Sequence, residues 1–258
     1  MLDFVEKQRP NVVVVSGDLT LRARPEQFRE ARAFVDRIPA PVVVVPGNHD
    51  VPLFRFWERA FAPFAAYRRH FAAELEPVYR DDGLCIVGIN TAYNWTHKSG
   101  RITRRRLREV GELLAAVPDG VFKVVVAHHH LIPPPNFGTQ SVLANAREAI
   151  DLFSTVGVDL ILSGHHHQAF IGNSEEFYPQ GRPPVVIVHS GTTTSDRGRA
   201  GERERNSCNW IALDDRSMVV SHYRWHEEGG RFAEHSRHWY PRQERVPYTL
   251  DGLDGPPR

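Results

Sequence analysis

The sequence predicts an α/β fold, and three observations carry that expectation. Apolar runs rich in valine and isoleucine alternate with amphipathic helical patterns along most of the chain. Several of these runs are apolar at every position, as in strands covered on both faces. Polar clusters of Gly, Asp, Asn and His follow directly on the runs, where the loops of an open α/β sheet converge. With 258 residues, 41% hydrophobic and 24% charged, the chain can bury a sizeable core, which excludes a coiled-coil rod, a disulfide-stapled mini-protein and a disordered segment.

The elements follow in order. Residues 11–16 (NVVVVS) form the first clear strand. Pro25 stands at a helix start, and Phe28, Ala31, Val35 and Ile38 mark one face of a helix that ends near Pro39. Residues 41–46 (PVVVVP) form a second strand, and residues 54–71 an aromatic-rich helical segment interrupted at Pro63. Asp81, Asp82 and Gly83 turn a hairpin between residues 77–80 and 84–90. Thr103 caps a helix whose apolar face is Leu107, Val110, Leu114 and Val117. A strand at 121–127 precedes a helix capped by Ser141 and presenting Leu143, Ala146, Ile150 and Phe153, and residues 158–163 return as a strand. Runs at 185–189, 209–213 and 218–225 suggest a second, more antiparallel sheet, and residues 241–258 read as an irregular Pro-, Gly- and Arg-rich tail. No internal repeat is present.

Charge and cysteine usage narrow the function classes. A formal net charge of +1 gives no field that would attract nucleic acid or an anionic membrane, so neither partner is expected. Cys85 and Cys208 stand far apart in apolar runs, which fits buried free thiols in a reducing compartment. No basic-then-apolar leader follows Met1, and the apolar runs are too short to span a bilayer, so a cytoplasmic location is expected.

Four polar clusters each follow a strand: Gly17-Asp18, Gly47-Asn48-His49-Asp50, His128-His129-His130 and Gly164-His165-His166-His167. Asp supplies an anionic oxygen able to bridge two cations, Asn a neutral oxygen, and His a borderline nitrogen. Together they suit Mn, Fe or Zn better than Ca or a thiolate-bound structural Zn.

These blocks resemble those of the calcineurin-like metallophosphoesterases, which carry D-x-H, G-D, G-N-H-[DE], H and G-H-x-H in that order. The last four stand here as GD, GNHD, the histidine of VVAHHHL, and GHHH, and the likeness runs from about residue 11 to 225. The segment SGTTTSDRGRAGERERNSCNWIAL further resembles bacterial members related to cyclic nucleotide phosphodiesterases. The resemblance implies a sandwich of two mixed β-sheets flanked by helices, as a single domain over residues 1–240. It also implies that Asp18 bridges two metals, that Asn48, His128 and His165 complete one site, and that His167 belongs to the other. His49 would act on the phosphoryl group, with Asp50 orienting His49 or the backbone turn. The implied cofactors are divalent transition metals, two in a complete member and one in this chain.

One departure stands out: no D-x-H occurs in these residues, and in the family that block supplies two ligands of the site that His167 shares. The expectation is a domain lacking its first strand, explained most economically by a start placed downstream, with real loss of one metal site as the other account. The function expected is metal-dependent hydrolysis of a small phosphodiester such as a cyclic nucleotide or a glycerophosphodiester. The alternatives are a phosphomonoesterase and a non-catalytic metal-binding or interaction protein, with a nuclease disfavoured by the charge.

Other residues keep two readings. His129 and His130 stay open between ligand and structural residue, and His166 reads as a pocket residue or one supporting a ligand from behind. His189 is pocket-lining or plain core. Arg197, Arg199, Arg203 and Arg205 either reach a substrate phosphate or are solvated, and Trp95 and His97 either contact substrate or cap the core. Phe54, Phe56, Trp57, Phe61 and Phe64 read as core packing or a cap over the site.

Overall fold

A computed structural model of the chain describes residues 1–95, 99–134, 142–179, 182–195, 198 and 205–242. Helix α1 (Leu2–Gln8) leads into β1 (Val13–Val15), α2 (Pro25–Val35) and β2 (Val42–Val44). After a short 3₁₀ turn at Asn48–Asp50 come α3 (Phe56–Phe61), α4 (Ala65–His70), β3 (Val78–Arg80) and β4 (Leu84–Ile89). The middle of the chain alternates α5 (Arg104–Ala115), β5 (Phe122–Ala127), α6 (Ala146–Thr155) and β6 (Leu160–Ser163). It closes with β7 (Phe170–Asn173), α7 (Ser174–Phe177), β8 (Val186–His189), β9 (Ser207–Asp214), β10 (Ser217–His226) and β11 (Arg231–Pro241).

The strands form mixed sheets flanked by helices. Six lie in the order β3-β4-β5-β6-β8-β7, with β4, β5, β6 and β8 parallel and the two outer strands antiparallel. The α5 and α6 crossovers cover one face of this sheet, through Leu107, Val110, Leu114, Ile150 and Phe153 on Val87, Val125 and Ile161. The alternate residues Val124 and Val126 of β5 face the other way, onto Val43, Val45, Met218 and Val220. That period of two explains why β5 is buried at every position. A third apolar layer packs Phe28 of α2 and Tyr67 of α4 over Val44 of β2, the two rings meeting edge to face.

Several expectations hold at the level of single residues. Pro25 opens α2, and the Thr103 hydroxyl accepts the Arg106 N–H at 3.2 Å as the cap of α5. The hairpin closes where Asp81 and Gly83 turn, with the Gly83 N–H on the Asp81 carboxylate at 2.9 Å. The aromatic segment splits into α3 and α4 around Pro63. Both cysteines are free, Cys85 buried and Cys208 half-buried.

Other expectations are corrected. Residues 185–189 do not join the antiparallel sheet: β8 pairs parallel with β6 and belongs to the six-stranded sheet, its apolar run fitting a covered position. The antiparallel sheet is instead β11-β10-β9, and β11 carries no strand signal in the sequence because its charged and aromatic residues show little apolar alternation. Phe54, Phe56, Trp57 and Phe61 are not core; Trp57 is 72% exposed and stacks on Phe61 one turn along α3. Ser141, His97 and the tail from residue 243 lie outside the described residues, as do Arg197, Arg199 and Arg203, while Arg205 is exposed.

β1 pairs in parallel with β2, and these two form a sheet of their own. Although wholly apolar, β1 is only half-buried. Among the described residues no strand pairs with its other edge or with the outer edge of β9, and both edges line one groove of about 1540 Å³.

Candidate metal centre

Each of the four polar clusters leaves the carboxyl end of a strand: Gly17-Asp18 follows β1, the GNHD turn follows β2, His128 to His130 follow β5, and Gly164 to His167 follow β6. Two of these strands belong to the small sheet and two to the large one, so the site spans both. The loops turn sharply. Gly17 has φ +96°, and a Cβ there would meet Nδ1 of His128 at 2.6 Å; a Cβ at Gly47 would meet the Asp18 carboxylate at 2.1 Å. Asp18, His165 and His167 take left-handed backbone at φ 56°, 76° and 57°, a conformation uncommon for non-glycine residues and concentrated at functional sites.

Four donors converge. Nε2 of His128 lies 3.3 Å from Oδ1 of Asp18, 3.1 Å from Oδ1 of Asn48 and 3.2 Å from Nδ1 of His165, and the last two are 2.9 Å apart. Donors held at about 2.1 Å by one divalent ion are about 3.0 to 3.4 Å from each other. The tautomers point the same way. Nδ1 of His128 donates to the carbonyl of Ser16 at 2.7 Å, so Nε2 turns a lone pair toward a carboxylate and an amide oxygen. Three lone pairs facing one another repel, a cation among them removes that repulsion, and the mixed O/N set fits Mn, Fe or Zn.

Burial favours the neutral form, the one that binds metal, at His129, His130 and His165. It pushes His165 down to about 2, with His128, His166, His167 and His49 adding to the effect. His129 and His130 are held well below the ordinary histidine range, again mainly by burial.

The other candidate residues take distinct places. His49 is half-buried; its ring is fixed by Nδ1 donating to the Leu21 carbonyl at 2.9 Å, and its main-chain N–H donates to Asp18 Oδ1 at 3.0 Å. Asp50, 1% exposed, braces the two loops: its carboxylate accepts from the N–H groups of Gly47 at 2.8 Å, Thr20 at 2.9 Å and Leu19 at 3.2 Å. Burial first, then the neighbouring Asp18 charge, raises its carboxyl to about 7 against those donors. His167 stands outside the four-donor set and lines the groove with Asp18, His49 and His165. His166 lies behind His165, their ring centroids 4.6 Å apart. His189 is core: fully buried and stacked on His130 at 3.9 Å. Trp95 is exposed, and no helix among the described residues is long and apolar enough to cross a membrane.

The sequence reading missed the supports of this centre. Main-chain carbonyls at Ser16 and Leu21 leave no mark in a motif, and Thr91, which bonds His129 at 2.8 Å, lies outside all four blocks. His129 itself belongs to a group with His128 and His165 whose ligand nitrogens all lie within 4.8 Å of one another.

Comparison with known proteins identifies the family. A Rhodococcus erythropolis protein named "Probable cyclic nucleotide phosphodiesterase" is 26% identical over 226 residues, covering 83% of this chain and 69% of its own. A Mycobacterium tuberculosis protein named as a cAMP/cGMP dual specificity phosphodiesterase is 32% identical over 227 residues, covering 83% of this chain and 66% of its own. An Arcobacter nitrofigilis protein named "Probable glycerophosphodiester phosphodiesterase GpdQ" is 27% identical over 168 residues, covering 63% and 58%. This chain thus spans about two thirds of the length of the relatives it matches. The family profile "Calcineurin-like phosphoesterase" matches residues 1–169, which hold all four motif blocks, and by that match the chain belongs to the calcineurin-like phosphoesterase family of hydrolases.

Proposed function

We propose that the protein is a metal-dependent phosphodiesterase acting on a small substrate, a cyclic nucleotide or a glycerophosphodiester. The observation that carries this reading is the convergence of Asp18 Oδ1, Asn48 Oδ1, His128 Nε2 and His165 Nδ1 beside His49. The relatives' names support the diester class, cyclic nucleotides in two and a glycerophosphodiester in the third.

In this reading Asp18, Asn48, His128 and His165 hold one Mn, Fe or Zn ion, and His167 contributes to a second. A bound ion of this kind supplies a Lewis acid and lowers the pKa of bound water toward neutrality. The chain's own residues do the rest. Leu21 fixes the His49 ring with Nδ1 protonated, so Nε2 is the atom that meets the phosphoryl group; as imidazolium it stabilises the oxygens or delivers a proton to the leaving oxygen. Thr20 and Asp50 hold the backbone of that turn, the Thr20 hydroxyl donating to the His49 carbonyl at 2.9 Å.

The same reading makes residues 1–240 one domain with room for one more strand. Among the described residues β1 pairs with β2 and β9 with β10, and their free edges line the groove together with Val12, Val14, Phe122, Leu162, Ile211 and Leu213. A strand laid there would end near Asp18 and His167, which also line it. The convergence of four donors without His167 favours a second reading, a metal-binding protein with one site and no turnover.

Hydrolysis of 3′,5′-cAMP, glycerophosphoethanolamine and bis(p-nitrophenyl) phosphate with added Mn or Fe separates the two. The test compares this chain with one extended upstream by a strand ending in Asp-x-His. The proposal expects little turnover from the short chain and diester cleavage by the extended one. No cleavage by either, with metal bound, supports the non-catalytic reading.

A further inference from the structure

We infer that His129 supplies a third imidazole to the cation site and that Thr91 holds it there. The inference rests on the proposed metal site but goes beyond its four donors.

His129 directly follows His128 where β5 ends at Ala127. Beyond a regular strand, consecutive side chains no longer have to point to opposite faces, and these two rings lie 5.0 Å apart at 87°. The His129 ring is 4.7 Å from that of His165, and one ligand nitrogen from each of the three falls within 4.8 Å of the others.

The ring is held from two sides. The buried Thr91 hydroxyl lies 2.8 Å from Nδ1 and also accepts the main-chain N–H of His129 at 3.2 Å. Gly100 closes the other side, since a Cβ there would come within 2.4 Å of Cγ and Nδ1 of the ring. The proposed ligand is the tautomer in which Nδ1–H donates to Thr91, which leaves the lone pair on Nε2. That nitrogen is buried in a residue 1% exposed and has no hydrogen-bond partner among the described residues. A histidine kept for hydrogen bonding uses both nitrogens when buried, and one kept for packing alone carries an unsatisfied polar atom that a phenyl ring would avoid. A metal ligand has this arrangement: one nitrogen anchored by a neutral oxygen, the other bare.

A third imidazole makes the site richer in nitrogen and shifts its preference from Mg toward Co, Fe or Zn. The test uses the 258-residue chain loaded with about one Co(II). X-ray absorption counts coordinated imidazoles, and competition titration gives the affinity, in wild type, His129→Phe and Thr91→Val. We expect three imidazoles in the wild type and two in His129→Phe. Thr91→Val should bind cobalt about 10-fold more weakly, within the span seen when supports of metal-bound histidines are removed, and His129→Phe, which removes the ligand itself, should weaken binding more than that. Two imidazoles in the wild type, or unchanged affinity in a folded His129→Phe, would overturn the inference while leaving the four-donor site intact. The wild-type count decides the matter even if the variant does not fold. No cobalt binding by the wild type would overturn the site and the inference together.

Discussion

Nδ1 of His128 donates to the main-chain carbonyl of Ser16 at 2.7 Å, and this bond ties the end of β5 in the large sheet to the end of β1 in the small one. It also decides which nitrogen of His128 faces Asp18 and Asn48. The metal-binding tautomer is therefore built into the junction of the two sheets, and metal binding should hold them together.

A first prediction follows from that coupling. Without a cation the lone pairs of His128, Asn48 and Asp18 repel, so Mn or Zn at 100 times its Kd should stabilise the fold by about 2.7 kcal/mol, equivalent to roughly 5–10 °C in Tm. Chelation should reverse the shift, and His128→Ala should abolish it. Scanning calorimetry with and without metal checks this; an equal shift in the variant would place the metal elsewhere.

In the proposed function His49 acts on the substrate and not on the metal. His49→Ala should lower diester turnover by about 10²- to 10⁴-fold in a chain that turns over, while the metal-induced Tm shift stays. Asp18→Asn should lose both. Loss of metal in His49→Ala would show that the two roles have been exchanged.

Asp50 is the brace between the loops that carry Asp18 and His49. Asp50→Ala would leave the buried N–H groups of Gly47 and Thr20, and the partly buried one of Leu19, without an acceptor. At about 1–3 kcal/mol for each buried donor, the loss should reach about 3 kcal/mol or more. Asp50→Asn keeps one acceptor oxygen and should lose less. Urea denaturation of the three proteins gives the order; equal stability of Asp50→Ala and wild type would deny Asp50 this role.

His189 makes stability depend on pH. Burial, with His166 adding, holds its imidazole down at about 3, while an unfolded histidine titrates near 6.5. Between these values the unfolded chain binds a proton that the folded chain does not. The stabilisation is complete above 6.5 and is lost as pH falls toward 3, by up to about 1.4 kcal/mol per pH unit. His189→Phe keeps a ring against His130 and should flatten the slope by up to one proton. Denaturant midpoints at pH 7, 6 and 5 measure it; an identical slope would mean that His189 is protonated in the fold.

The parts legible in the sequence are those with a period or a fixed spacing. The valine runs of β1, β2 and β5 and the caps at Pro25 and Thr103 could be read because local sequence determines them. The GNHD and GHHH blocks could be read because a sharp turn needs glycine next to the donor. The partner of β8 could not, since any apolar strand fits beside β6 as well as beside β9. The exposure of Phe56 and Trp57 was hidden for a similar reason: an aromatic helix looks alike whether or not something covers it. Thr91 and the Ser16 carbonyl act through positions that only folding creates.

Asp18, Asn48, His128 and His165 together should hold one divalent transition metal. Elemental analysis of the purified 258-residue chain after metal-supplemented expression checks this, beside a variant carrying both His128→Ala and His165→Ala. About one Mn, Fe or Zn per wild-type chain is expected, and almost none in the variant. Equal metal content in the two proteins would contradict it.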